Sequence, residues 1–162
     1  MAVIVLMGIS GVGKTTVGRV LAEQLGWEFM EGDDLHPPAN VAKLRAGIPL
    51  NDDDRTPWYD ALCRAVDELH ARGGRAVLAV SALRAAHRAM LTEGRPWLCF
   101  VHLVGDRALV AERLRSRRDH FMPAGLLDSQ LAALQPPADA VEVGITDPPE
   151  AIAAEIRRRL GL

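Results

Sequence analysis

Gly8-Ile9-Ser10-Gly11-Val12-Gly13-Lys14-Thr15 has the spacing G-x-x-x-x-G-K-[ST]. The apolar run Ala2-Val3-Ile4-Val5-Leu6-Met7 leads into it and reads as a buried strand, and Thr16 to Leu25 reads as a helix. Strand, glycine-rich turn and helix in that order form the context of a phosphate-binding P-loop. The glycines let the backbone wrap an anion with its N–H groups pointing inward, and the helix N-terminus adds partial positive charge. Gly8, Ile9, Ser10, Gly11, Val12, Gly13, Lys14, Thr15 and Thr16 are therefore the expected nucleotide-binding residues. Lys14 is placed to reach the β- and γ-phosphates, and the Thr15 hydroxyl to ligate Mg²⁺.

The chain has 162 residues, 49% of them hydrophobic and 25% charged, which fits one globular domain with an ordinary core. Its formal net charge of -2 gives no sign of a nucleic-acid or membrane partner. Lys14 and Lys43 are the only lysines in an arginine-rich sequence. Cys63 and Cys99 lie far apart and read as reduced thiols, and the five histidines lack zinc-ligand spacing. The first apolar run is too short to span a bilayer and has no basic leader, so a cytoplasmic location is expected.

Apolar runs alternate with helical patterns, which predicts βαβ units and a parallel sheet. Strands are expected near 2–7, 27–31, 75–80, 97–104 and 140–145. Helices are expected over 14–25, 37–46, 57–72, 84–93, 106–117, 126–134 and 149–160. Gly26 and Gly73-Gly74 suit helix ends, and Pro148-Pro149 a helix start. Two stretches break the rhythm. Residues 32–56 are rich in Asp, Pro and Gly, and residues 113–125 are basic and then irregular. Such insertions often form binding loops or lids, and ligands of open α/β sheets bind at the carboxyl ends of the strands.

Several side chains in these stretches suit phosphoryl transfer. Asp33 follows the second strand, where a carboxylate can orient and deprotonate an acceptor hydroxyl. Arg113 and Arg117 are spaced i, i+4 and share a helix face, which suits them to developing phosphate charge; the plain alternative is a solvated helix end. Arg55 can bind a carboxylate bidentately, or be held by Asp52 to Asp54. Thr56 and Pro57 read as the cap and first residue of the third helix. Ser81 closes the third strand and reads as a cap of the following helix. No Asp stands at that strand end, so Mg²⁺ is expected to rely on Thr15, phosphates and water, with Asp33 as a water-mediated helper.

Taken together, these segments resemble the gluconate kinase family of the small P-loop type. The resemblance runs through nearly the whole chain. It rests on Gly8 to Thr15, Gly32-Asp33-Asp34-Leu35-His36-Pro37, Pro49-Leu50-Asn51-Asp52-Asp53-Asp54-Arg55-Thr56-Pro57-Trp58, Ser81-Ala82-Leu83, His120-Phe121-Met122-Pro123, Leu126-Leu127-Asp128-Ser129-Gln130-Leu131 and Leu134-Gln135-Pro136-Pro137. It implies a three-layer α/β/α fold like that of nucleoside monophosphate kinases, with a five-stranded parallel sheet and a lid over about 113–125. It also implies ATP- and Mg²⁺-dependent phosphorylation of D-gluconate at the 6-hydroxyl. By that resemblance Asp33 contacts the acceptor hydroxyl. His36, Asn40, Lys43 and Arg55 belong to the substrate-binding insertion of about 32–56, and Ser81 joins the substrate-binding set. Arg113 and Arg117 close over ATP phosphates, Thr146-Asp147-Pro148 lies near the adenine, and a homodimer is an expectation. Three positions depart from the family pattern: Glu31 where some relatives have Asp, Asp119 where the lid often has Gly, and Gln135 where Glu is frequent.

Two other readings compete with this one. One is another small-molecule P-loop kinase, such as a shikimate-kinase-like enzyme. The other is a nucleotide-binding module without turnover. The sequence has neither D-x-x-G nor N-K-x-D, the usual marks of a GTP switch.

Overall fold

The first strand, β1 (Val3–Met7), is buried along its whole length. The computed structural model describes residues 1–116 and 124–162, with side chains for all of these except 124–126. Among the described residues, β1 lies at the centre of a five-stranded parallel sheet of order β2-β3-β1-β4-β5. The other strands are β2 (Glu28–Glu31), β3 (Ala76–Ala79), β4 (Leu98–Val104) and β5 (Val141–Gly144). In register, Val5 stands opposite Leu78 on one side and Phe100 on the other.

Seven helices flank the sheet among the described residues: α1 (Lys14–Leu25), α2 (Pro38–Arg45), α3 (Asp52–Ala71), α4 (Ala85–Thr92), α5 (Arg107–Ser116), α6 (Ala124–Ala133) and α7 (Pro149–Leu160). The alternation of β1 divides the core in two. Ile4 and Leu6 pack with Val17 and Leu21 of α1, Val110 of α5, and Ile152 and Ile156 of α7. Val3, Val5 and Met7 pack with Trp58, Leu62 and Val66 of α3 and Leu91 of α4. A parallel strand covered on both faces needs apolar residues at every position, which is why Val3–Met7 shows no polar alternation. None of the described helices is long and apolar enough to cross a membrane.

All five strands fall within one or two residues of the sequence expectation, and α1 and α7 match it. The third helix does not. It begins at Asp52, five residues before the expected Pro57, because Asn51 caps it. The Asn51 side chain accepts from the Asp54 amide at 2.8 Å, and the Asp54 carboxylate accepts from the Asn51 amide at 3.0 Å. This reciprocal capping box satisfies two amides, and the acidic run Asp52 to Asp54 favours the helix dipole. Pro57 therefore lies inside α3. Thr56 is not a cap: its hydroxyl donates to the Asp52 carbonyl at 3.1 Å, one turn back. Ser81 is not a cap either. The residue at the N-cap of α4 is Arg84, and the first helical amide, that of Ala85, donates to Gln135 Oε1 at 2.6 Å.

Gly18 lies in the interior of α1, where replacement by alanine ordinarily gains about 1 kcal/mol. Here a Cβ would stand 2.6 Å from Phe29 Cε2 on β2 and 3.4 Å from Leu6 Cδ1. Overpacking of that kind costs about 1–3 kcal/mol and outweighs the propensity gain. Gly18→Ala is expected to lower the urea midpoint of unfolding. A raised midpoint would contradict the packing of α1 on β2.

Candidate active site

The P-loop leaves the carboxyl end of β1 in a path that three glycines permit. Gly8, Gly11 and Gly13 have φ of 141, 90 and 95°, values that residues with a Cβ rarely adopt. Space is also restricted. A Cβ on Gly8 would stand 2.8 Å from the Leu103 carbonyl, and one on Gly11 would stand 2.8 Å from Leu114 Cγ. The loop is thus pressed between β4 and α5. Lys14 arches back over it, its ammonium donating to the carbonyls of Gly8 at 3.0 Å and Ile9 at 3.1 Å. Gly13 stands at the N-cap of α1, so the first amides of that helix face the loop's concavity.

Two neighbours fix the loop from outside. The Gly8 amide donates to the Ser81 carbonyl at 3.3 Å, which ties the loop to the end of β3. Gln130 of α6 grips Ser10 twice: its Oε1 accepts from the Ser10 amide at 2.6 Å, and its Nε2 donates to Ser10 Oγ at 3.0 Å. Sequence reasoning assigns Gln130 no role. It lies 120 residues from Ser10 in sequence, and no local pattern links the two.

The carboxyl end of β2 brings acids to the same edge. Glu31 Oε2 accepts from the Thr15 hydroxyl at 2.7 Å. Burial raises the Glu31 pKa above the ordinary carboxylate value. The Thr15 hydrogen bond opposes that rise, while the charges of Asp33 and Asp34 add to it and Lys14 counters them. The Glu31 side chain is therefore long enough to meet the P-loop threonine, a contact that sequence reasoning misses. Asp33 follows in a single 3-10 turn, Gly32–Leu35. This turn crosses close to β3, since a Cβ on Gly32 would stand 2.7 Å from the Ala79 carbonyl. The Trp58 indole N–H pins it by donating to the Gly32 carbonyl at 2.8 Å. The Asp33 side chain itself is 73% exposed, with His36 Nε2 3.9 Å away.

The rest of the insertion is organised around buried Asn40. Its Nδ2 donates to the Asp54 carbonyl at 2.7 Å and meets His36 Nδ1 at 3.3 Å. The His36 ring stacks on Trp58, with centroids 3.9 Å apart. Burial lowers the His36 pKa, the Asp33 charge opposes this, and the Arg55 charge adds to it, so the imidazole favours its neutral form. Lys43 Nζ pairs with Asp54 Oδ1 at 2.6 Å and thereby joins α2 to the first turn of α3. Arg55 Nη1 lies 3.5 Å from Asp52 Oδ1.

Arg113 closes the opposite side. Its Nη2 donates to the Ile145 carbonyl at 2.6 Å, at the end of β5, while Nη1 lies 3.9 Å from where a Gly13 Cβ would be. The structure therefore sets it beside the P-loop. Arg117, and the His120-Phe121-Met122-Pro123 segment with it, lies outside the described residues. Of the other expected residues, Lys14, Thr15 and Ser81 gather at the loop, whereas His36, Lys43 and Arg55 belong to the insertion beyond Asp33.

These groups suit a triphosphate and a hard cation. Glycine-shaped amides and an ammonium answer phosphate oxygens. The Thr15 hydroxyl and the Glu31 carboxylate are the oxygen donors Mg²⁺ prefers. Among the described residues, no cluster of three His, Cys, Asp or Glu could hold a metal ion by itself. Mg²⁺ commonly takes only one or two protein ligands and completes its shell with phosphates and water.

Known proteins are similar to this chain along nearly its whole length. The family model described as an AAA domain matches residues 3–137. A gluconokinase of Gluconobacter oxydans (strain 621H) is 46% identical over 159 residues, covering 96% of this chain and 89% of that protein. The crystal structure of a sugar kinase from Janibacter sp. HTCC2649 superposes with a TM-score of 0.89 at 38% identity, covering 99% of this chain and 95% of that one. A gluconokinase structure from Sinorhizobium meliloti 1021 gives a TM-score of 0.80 at 40% identity, with the same coverage of 99% and 95%. The chain belongs to the gluconokinase family of P-loop kinases.

Proposed function

We propose that this protein transfers the γ-phosphoryl group of ATP to the 6-hydroxyl of D-gluconate, giving 6-phospho-D-gluconate and ADP. The observation that carries the reading is the meeting of three elements at one sheet edge. They are a phosphate loop with Lys14 laid across it, the Asp33 turn beside the Thr15–Glu31 pair, and the insertion that carries Arg55. Family membership names the acceptor: the matching proteins called gluconokinases favour gluconate over shikimate.

In this reading the acceptor lies between Asp33 and Arg55. Arg55 holds the carboxylate end, with His36 offering a neutral imidazole to a hydroxyl. Asp33 receives the proton of the 6-hydroxyl as its oxygen bonds to the γ-phosphorus. The bond from that phosphorus to the β–γ bridging oxygen breaks, and ADP leaves. Lys14 turns from the loop carbonyls to the phosphate oxygens, and Arg113 answers charge from the other side. Thr15 and Glu31 would hold Mg²⁺, which neutralises the β- and γ-oxygens when bound. The chain's own contribution is positioning and fixed charge, from which most of the acceleration of phosphoryl transfer comes. The family resemblance assigns a lid to about 113–125, of which 117–123 lie outside the described residues, and a lid excludes water that would otherwise hydrolyse ATP.

Acceptor-dependent ADP release, measured over a panel of sugar acids and shikimate, tests the reading. Gluconate is expected to be the preferred acceptor, and turnover of shikimate alone would overturn it. Lys14→Met is expected to cut kcat/KM by about 10³ or more while the circular dichroism spectrum stays native. Near-normal turnover would remove Lys14 from the reaction. Asp33→Asn is expected to lower kcat by about 10²–10⁴ with little change in nucleotide affinity. An effect confined to ATP binding would place Asp33 elsewhere. Arg55→Ala is expected to raise the gluconate KM by about 10–100-fold. An unchanged KM would separate Arg55 from the acid.

A further inference from the structure

Asp52 draws more cations than an exposed carboxylate at a helix start requires. Arg84 Nη1 stands 2.9 Å from one of its oxygens and 3.0 Å from the other. Arg55 Nη1 approaches at 3.5 Å and His87 Nε2 at 3.9 Å. These groups come from different elements: Asp52 and Arg55 from the first turn of α3, Arg84 and His87 from the start of α4. The Asp52 side chain is 68% exposed, and an ion pair so open to water contributes little to stability. Two guanidinium groups against one carboxylate also leave the cluster with positive charge in excess.

The cluster continues the acceptor site. The Arg55 charge bears on His36, which stands beside Asp33, and also on His87, which stands beside Asp52. The His87 ring is stacked on buried Tyr59 with centroids 4.8 Å apart, so its place is fixed. A molecule with an alcohol at one end and a carboxylate at the other therefore meets Asp33 first and the guanidinium groups beyond.

We propose that Arg84, together with Arg55, reads the substrate carboxylate, and that Asp52 is a resident carboxylate competing for the same guanidinium groups. The proposal rests on the gluconate reading and deepens it, by making Arg84 and Asp52 determinants of selectivity for acids over neutral polyols. A guanidinium fork fits a carboxylate bidentately, whereas Asp52 meets Arg84 through one nitrogen, Nη1, with both of its oxygens. A substrate carboxylate displaces Asp52 at small cost, because the exposed pair is weak. Removing the Asp52 charge raises the positive potential at the N-terminus of α3 and favours an incoming anion.

Steady-state kinetics with gluconate, and with neutral D-glucitol as a control acceptor, test this in the full chain. Arg84→Gln is expected to raise the gluconate KM about 10–100-fold while the ATP KM stays within about twofold. Arg84→Lys, which keeps the charge without the fork, is expected to recover part of that loss. Asp52→Asn is expected to lower the gluconate KM by about 2–5-fold. Opposite signs for Arg84→Gln and Asp52→Asn distinguish anion reading from a brace between α3 and α4, which either substitution would weaken alike. Both variants raising the gluconate KM to a similar extent would overturn the proposal, as would an unchanged gluconate KM in Arg84→Gln. If Arg84→Gln does not fold, the sign of the Asp52→Asn effect decides. Wild-type protein that turns over D-glucitol but not gluconate would overturn the gluconate reading itself, whereas gluconate turnover indifferent to Arg84 overturns only the role of that arginine.

Discussion

Burial of Val3–Met7 on both faces is the constraint from which the site follows. A strand flanked by β3 and β4 and covered by helices on each side cannot bend or slip without exposing apolar surface to water. Its carboxyl end is therefore a fixed point. Gly8, in contact range of the Leu103 carbonyl and bonded to the Ser81 carbonyl, carries that rigidity directly into the phosphate loop. Neighbours on both sides hold the loop in this path, and a loop held so loses little freedom on binding.

Around this fixed point the molecule uses its charges in two ways. Some are held by partners that set geometry. Lys43 on Asp54 and the Asn51–Asp54 capping box make the start of α3 a stiff support for Arg55. Others are held loosely, at the solvent edge, where the proposed acceptor would compete for them. Asp33 is mostly exposed, and the pairs of Asp52 with Arg55 and Arg84 are open to water. Firmly braced groups thus lie behind loosely paired ones, as a site must have that orients an anionic polyol and then releases its product.

Much of this is legible in the sequence, for identifiable reasons. The P-loop is visible because phosphate binding demands glycines at fixed spacing, and the strands because parallel pairing demands continuous apolar runs. The start of α3 is concealed because Pro57 and Thr56 mimic a helix start, while the true signal, Asn51 with Asp54 three residues later, is hidden in an acidic run. The same local reasoning gives Ser81 a capping role that belongs to a distant side chain, Gln135. Contacts between segments remote in sequence, such as Gln130 with Ser10 and Glu31 with Thr15, leave no periodic trace. They depend on tertiary placement, and only coordinates supply them.

The regiochemistry of the product tests the central claim most directly. Purified protein incubated with ATP, Mg²⁺ and D-gluconate can be followed by ³¹P nuclear magnetic resonance. A phosphomonoester signal coupled to the two protons of C6, growing in step with ADP, is the expected result. Inorganic phosphate without an ester, or an ester coupled to a chain carbon bearing a single proton, would contradict the account.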